Sequence, residues 1–516
     1  MKFLKKTLLY MLPAMMILGS TTACTGFIDI DPENKVPEQS VDFTNKNNMY
    51  QPVVGAYSKI RTQGMHWCNA LLIFTRDGDV WSGRTNDQAD VVQMGRYFNY
   101  TNSYWGLNQV WMNFYDIIRI SNAALLTLDG YAQYFTPGSD DYKTYESYCG
   151  EVRTIRAWAY YNLVTNFGPT VIYSDNLQTN FRRSTVDAVY NYMLEDLNYA
   201  AEKLPRMRPN QMEHKGAVTA FTAQALAARV YLLKKDYAKV ETLTDDIITN
   251  GGFKLYDDFY QLFKIPGKLS DESLFECQVT DYGNGSGDYL GVDQWFNFQG
   301  PALAEEYIKV VDDKGNVSYK KADGAESMGG WNFIGYEPEF VAWAEARGEG
   351  VRAETSFLKA LSKTREGWQV GPTSGTMTDC WNGKGYLPYN QMTLPRKDYG
   401  ANNNVRIMRY AEVLLMNSEA KIRQSKDGDA GYNEVRERAG MSTKTGVTLK
   451  DVMDERRMEL SCEWGIRYVD LVRTGEAATV LGPKGWTEAK TYWPIPSNQL
   501  DDLPDLKLEP IDGAAE

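Results

Sequence analysis

ERRMELSCEWGIRYVDLVRTG, residues 455–475, carries Arg456, Glu459, Glu463, Arg467, Asp470 and Arg473 at spacings of three or four. On a helix that spacing gathers six charges near one face, and Glu463 precedes Arg467 by four residues in the orientation that favours pairing. Val452, Leu460, Tyr468, Val469 and Leu471 add apolar contacts around them. The stretch therefore reads as a half-buried structural ion-pair helix. The sharper alternative is a catalytic carboxylate pair, which needs an open cleft and two environments that split the pKa values. Structural ion-pair networks produce the same pattern and are the preferred reading. That reading predicts that Arg467→Ala destabilises the fold.

The stretch sits near the end of a 516-residue chain, 43% hydrophobic and 24% charged, a balance that supports a large buried core and excludes a disordered chain. At the other end, Lys2, Lys5 and Lys6 precede an apolar run from Thr7 to Leu18. The run has the length of a signal-peptide core and is too short to span a bilayer comfortably. Thr22 and Ala23 stand directly before Cys24, as in the lipobox of bacterial lipoproteins, which predicts cleavage before Cys24 and its lipidation. Thr21 occupies the place where that motif usually has Leu. An ordinary secretory peptide with a chance cysteine is the alternative.

Net charge is −12, and residues 1–23 hold three lysines and no acid, so the mature chain carries −15. An acidic chain argues against nucleic acid and anionic membrane surfaces as ligands. The six cysteines (24, 68, 149, 277, 380, 462) show no C-x-x-C spacing, and lipidation of Cys24 leaves an odd number. Neither a disulfide framework nor a zinc site is indicated.

Behind Cys24, TGFIDIDPENKVPEQS reads as an acidic tether (24–45). In NQVWMNFYDIIRISNAALLTLDG, Val110, Phe114, Ile117, Ile118, Ala124, Leu125 and Leu128 recur at helical spacing, with Gly130 as the expected stop. RTIRAWAYYNLVTNFG and AQALAARVYLLKKDYAKVETLTDDIITNGG each place a small residue, Ala157 or Ala228, three before a tyrosine, and the second has a KKDY turn between two helices. A small residue for close approach, an aromatic beside it and a short turn are ingredients of tetratricopeptide-like pairs, here without the 34-residue period. STVDAVYNYMLEDLNYAAEKLP opens on Ser184 as the expected cap and closes at Pro205. From about 266 to 405 the texture turns rich in Gly, Asn and aromatics, which predicts long ordered loops with short strands.

RYAEVLLMNSEA (409–420), NEVRERAGM (433–441), the 455–475 stretch and YWPIPSNQL (492–500) resemble, in order and approximate spacing, the SusD/RagB family of outer-membrane nutrient-binding lipoproteins. VWMNFYDIIRISNAAL, EVRTIRAWAYYNLVTNFG, LEDLNYAAEKLP and ESLFECQ extend the resemblance over nearly the whole mature chain. FGPTVIY at 167–173 and Cys462 depart from it. The resemblance implies a mainly α fold: a tetratricopeptide-like helical scaffold of about four helix pairs with a loop-rich insertion containing short strands. It divides the chain into an N-terminal helical-repeat part (46–265), a ligand-binding insertion (266–405) and a C-terminal helical part (406–516). It further implies a non-enzymatic lipoprotein on the outer face of the outer membrane, partnered with a SusC-like TonB-dependent transporter, with no cofactor and no metal.

A sugar offers a face of C–H groups to an aromatic ring and hydroxyls to Asn, Asp, Gln or Arg. Loops that combine the two types are MHWCNALLIFTRDGDVWSGRTNDQ (65–88), DQWFNFQG (293–300), ESMGGWNFIGY (326–336) and CWNGKGYLPYN (380–390). They nominate Trp67, Trp81, Trp295 and Trp331 for stacking, and Arg84, Asn86, Asp87, Asn297 and Asn332 for hydrogen bonding. The expected ligand is an oligosaccharide; a peptide of the RagB type is the second hypothesis and a secreted hydrolase the third. Only His66 and His214 exist, so no multi-histidine metal site or histidine relay can be built with redundancy. SKDGDAG (425–431) resembles a calcium loop but lacks its terminal acid, and reads as a solvated turn.

Overall fold

Local chemistry starts and stops each helix. α1 (Gln51–Lys59) has a proline in its first turn. α2 (Trp67–Ile73) is capped by His66, and α3 (Trp105–Ala132) runs two residues past Gly130. α4 (Asp140–Phe167) opens on Ser139, whose hydroxyl accepts from Tyr142 N–H, and closes at Gly168 with φ 71°. α5 (Val186–Lys203) is capped by Thr185 rather than Ser184. The Ser184 N–H donates to the Thr170 carbonyl at 2.7 Å, so Ser184 is held in an extended bridge and the cap moves one residue on. α6 (Ala220–Lys234) and α7 (Tyr237–Asn250) are joined by the KKDY turn: Lys235 adopts φ 59° and Asp236 caps α7 by accepting from Lys239 N–H.

The computed structural model describes residues 41–82, 88–279, 295–296, 298–373, 379–391 and 403–515. The expected signal peptide (1–23), Cys24 and most of the expected tether lie outside them. The chain divides into two units, Met1–Asn48 and Met49–Glu516. The described part of the first is a turn followed by a short 3-10 segment, Lys46–Asn48. The second unit carries everything below.

In that unit α1 packs on α3, α3 on α4, α4 on α5, α5 on α6 and α6 on α7. α7 then packs on α8 (Tyr410–Arg423), which also receives α9 (Asp429–Arg438) and α10 (Leu449–Glu459). The result is the mainly α, tetratricopeptide-like scaffold, with the insertion's strands short and its sheets small. Ala157 and Ala228 are fully buried at these contacts. α9 approaches α8 closely at Gly431, where a Cβ would stand 2.5 Å from the Leu414 carbonyl oxygen of α8. Gly431→Ala raises helix propensity and would stabilise an isolated helix. Here it must push α9 off α8, so thermal unfolding should instead show a loss of about 1–3 kcal/mol.

One sheet links the N-terminal part to the insertion. Its strands lie in the order Val80–Ser82, Ile334–Tyr336, Cys380–Asn382, Phe357–Lys359, all antiparallel, with Trp81 opposite Gly335. A second pairing, Ser273–Cys277 with Val405–Arg409, ties the start of the insertion to the strand that leads into α8.

Residues 455–475 form two helices, which corrects the single-helix reading. α10 ends at Glu459 and α11 spans Ile466–Thr474. Between them Cys462, Trp464 and Gly465 take φ 57°, 49° and 64°. The break carries Trp464 into the core, stacked on Trp295 at 5.2 Å and edge-on to Trp158 at 5.4 Å, with its indole N–H donating to the Arg406 carbonyl. Glu463 is thereby turned away from Arg467 and the expected pair between them is absent. Arg467 faces Asp79 at 3.5 Å, a carboxylate that Arg457 already holds with two nitrogens. Asp470 pairs with Arg456 at 2.7 Å and Arg473 at 2.6 Å, and Arg473 continues to Glu419.

Glu459 and Glu463 enter a buried network that joins the insertion to the scaffold. Arg409 reaches Glu272, Glu459 at 3.0 Å and Glu463 at 2.8 Å. Arg352 of the insertion reaches Glu349 at 2.7 Å, Glu455 at 2.5 Å and Glu459 at 3.3 Å. Lys384 meets Glu463 at 2.8 Å, and Arg438 meets Glu272 and Glu459. Burial works to raise the Glu459 carboxyl, yet Arg438, Arg409, Arg352 and Lys384 outweigh it and hold the group at about 2.

Candidate functional site

α2 and the start of α3 present one half of an aromatic surface. His66 Nδ1 accepts from Cys68 N–H at 3.2 Å, which starts α2 and sets Trp67 in its first turn. Asn69 fastens the helix: its Nδ2 donates to the Gln63 and Gly64 carbonyls, and its Oδ1 accepts from Asn113 of α3 at 3.0 Å. Asn113 Oδ1 in turn accepts from Gln109 at 2.8 Å. Across this junction Trp105, the first residue of α3, lies 5.6 Å from Trp67 at an interplanar angle of 60° and is 47% exposed.

The insertion supplies the other half by strapping two loops together. Phe333 N–H donates to the Phe298 carbonyl at 3.0 Å, Asn332 N–H to Gly300 at 3.1 Å, and Ala302 N–H to Asn332 Oδ1 at 3.0 Å. The approach is so close at Gly330 that a Cβ there would stand 2.0 Å from the Pro301 carbonyl oxygen. Phe298 consequently lies flat on Trp67, 4.5 Å away at 3°, and Trp331 stands at 76° to Phe298, 4.7 Å away. His66 flanks Trp67 at 5.4 Å, and its partial burial lowers its pKa. The product is an angled surface of ring faces and edges, with the half-exposed Gln109 four residues along α3 from Trp105, suited to the C–H faces of a sugar.

Of the nominated residues, Trp67 and Trp331 come together here, and Asn332 uses its amide to hold the strap. Trp81 and Trp295 do not offer a stacking face, which corrects their assignment. Trp81 is 2% exposed within the four-stranded sheet, and Trp295 is 3% exposed between Phe74 and Trp464. Arg84, Asn86, Asp87 and Asn297 lie outside the described residues. Trp105, Phe298 and Gln109 went unnominated. Trp105 was hidden in a segment whose period marks it as scaffold, although a large aromatic in the first turn, one residue before Gly106, was a usable signal. Residues 425–428 turn between α8 and α9, and Asp429, the first residue of α9, accepts from Gly446 and Val447 N–H, so the expected turn is shorter and runs into the helix. Among the described residues no three His, Cys, Asp or Glu side chains are placed to hold a metal.

Comparison with known proteins places this architecture. A family model described as the SusD family matches residues 359–510, and one described as starch-binding associating with outer membrane matches residues 26–232. A SusD-like protein of Bacteroides ovatus is 24% identical over 430 residues, covering 75% of this chain and 70% of that protein. The solved structure of a laminarin binding SusD-like protein superposes with a TM-score of 0.73 at 22% identity, over 90% of this chain and 98% of the other. Surface glycan-binding protein A from Bacteroides thetaiotaomicron, in complex with laminarihexaose, gives 0.70 at 23% identity, over 88% and 97%. With one such model on the N-terminal helices and the other on the helices that carry the buried arginine network, the chain belongs to the SusD/RagB family.

Proposed function

We propose that this chain is a cell-surface lipoprotein, anchored through Cys24, that captures an oligosaccharide on the Trp67–Trp105–Trp331 surface. It would deliver the ligand to a SusC-like TonB-dependent transporter in the outer membrane. The observation that carries this reading is the exposed aromatic surface, assembled by dedicated hydrogen bonds from two distant parts of the chain. Aromatic rings clustered at a partly exposed junction of this kind mark an interaction surface. The glycans named for its structural relatives support the ligand class, and their description as binding proteins supports a non-enzymatic role. Gln109, beside Trp105 on α3, is a hydroxyl partner in this reading.

Calorimetry of the mature protein against plant, host and microbial oligosaccharides, laminarihexaose included, and a peptide mixture tests it. One glycan class should bind, and Trp105→Ala or Trp331→Ala should weaken it by about tenfold or more. Trp105 is exposed, so its variant keeps the fold. Heat with peptides alone would transfer the reading to a RagB-type peptide receptor, and turnover of any panel member would overturn the non-enzymatic role.

A further inference from the structure

A second cavity, of about 350 Å³, lies between α1 and the strand Ser273–Cys277 and shares no residue with the aromatic surface. Its lining includes Tyr50, Arg61, His214, Lys215, Glu276 and Gln278. Tyr50 and His214 stack at 3.7 Å and 10°, giving one flat wall. That wall is fixed from behind, because the Tyr50 and Tyr57 hydroxyls donate to the buried Glu151 at 3.1 and 2.8 Å. Burial raises Glu151 to about 7 against those two hydrogen bonds.

The charge inside is what sets this cavity apart. In an acidic chain where most buried arginines pair with carboxylates, Arg61 is half-buried and, with Lys215, forms no ion pair among the described residues. Arg61 stands close to Cys277, where its charge works against the burial that pushes the thiol up to about 12. The one acid in the lining, Glu276, is committed elsewhere: its Oε2 accepts from Leu269 N–H and Asn404, and its Oε1 faces Arg406 at 3.7 Å. A guanidinium and an ammonium outside any ion pair among the described residues, beside a flat aromatic wall and the Gln278 amide, match a sugar ring that bears a carboxylate. The volume is within the range of small-ligand sites.

The geometry points to a second, anion-selective sugar site in this cavity, one that takes a uronic acid residue through Arg61 and Lys215. It goes beyond the proposed function, since it adds a ligand class that the aromatic surface, whose described members are rings and amides, would not select. The test is calorimetry of the mature protein at low salt with glucuronate and trigalacturonate, beside glucose and galactose 6-sulfate. Uronates should bind and glucose should not. Arg61→Gln should weaken uronate binding by about tenfold or more, and Lys215→Gln, at an exposed position, should weaken it in the same direction with the fold intact. Trp105→Ala should leave uronate binding unchanged, whatever becomes of neutral glycan binding. Absence of uronate binding, binding by both charge variants unchanged from wild type, or its loss in Trp105→Ala would overturn the site. Preference for the sulfated sugar would overturn the carboxylate assignment.

Discussion

Arg409→Ala should lower the stability of the fold by about 3–5 kcal/mol, the cost of leaving buried carboxylates without their partner. Arg409 is 1% exposed and touches Glu272, Glu459 and Glu463 at once. Its loss leaves Glu463 with Lys384, and Glu272 and Glu459 with Arg438 and Arg352 to share. Thermal unfolding, followed by circular dichroism, reads the effect as a lowered Tm. Arg467→Ala is the comparison. It removes a 3.5 Å contact to an Asp79 that keeps Arg457, and should be clearly milder. A Tm for Arg409→Ala equal to the wild type would show that the network contributes nothing to stability.

The same network sets the response to acid. Glu459 titrates at about 2 in the folded protein, against 4.5 as its ordinary value. A depressed carboxylate contributes stability that is complete above its unfolded pKa and is lost as pH falls through the folded one. Glu459 alone therefore accounts for about 3 kcal/mol lost between about pH 4.5 and pH 2. Glu463 and Asp470, buried but also held below their ordinary values by arginine and lysine partners, add in the same direction. Glu151 has the opposite sign. Raised from 4.5 to about 7, it contributes below the lower value, and its share disappears as pH rises through the upper. Urea unfolding from pH 2 to 8 should show a steep acid limb, and Glu151→Gln should flatten only the stretch between about pH 4.5 and 7. A flat acid limb would contradict the pairing of Glu459.

The helices were legible because their signals are local. Ser139 with Asp140 and Asp141, the KKDY turn and the helical period of Val110 to Leu128 each act within a few residues. The break at 460–465 was not legible. Cys462 and Trp464 adopt left-handed backbone that their own side chains disfavour, and what stabilises it is packing on Trp158 and Trp295, 306 and 169 residues upstream of Trp464. The identities of the charge partners were hidden for the same reason, since Arg352, Lys384 and Arg409 come from outside the 455–475 stretch. Within the site, Trp81 and Trp331 sit in similar Gly- and Asn-rich texture. One is enclosed by a sheet whose other strands come from the insertion, and the other is left at the surface beside Phe298.

Trp67 and Trp331 meet across about half the length of the chain, through Phe298 and the strap at Gly330. Closing so long a loop is a late event in folding, slower than the pairing of neighbouring helices. During refolding, helical signal should recover well before the Trp67–Phe298 stack forms, and ligand capture should be the last property regained. An incompletely folded copy would thus lack the aromatic surface altogether instead of presenting a distorted one.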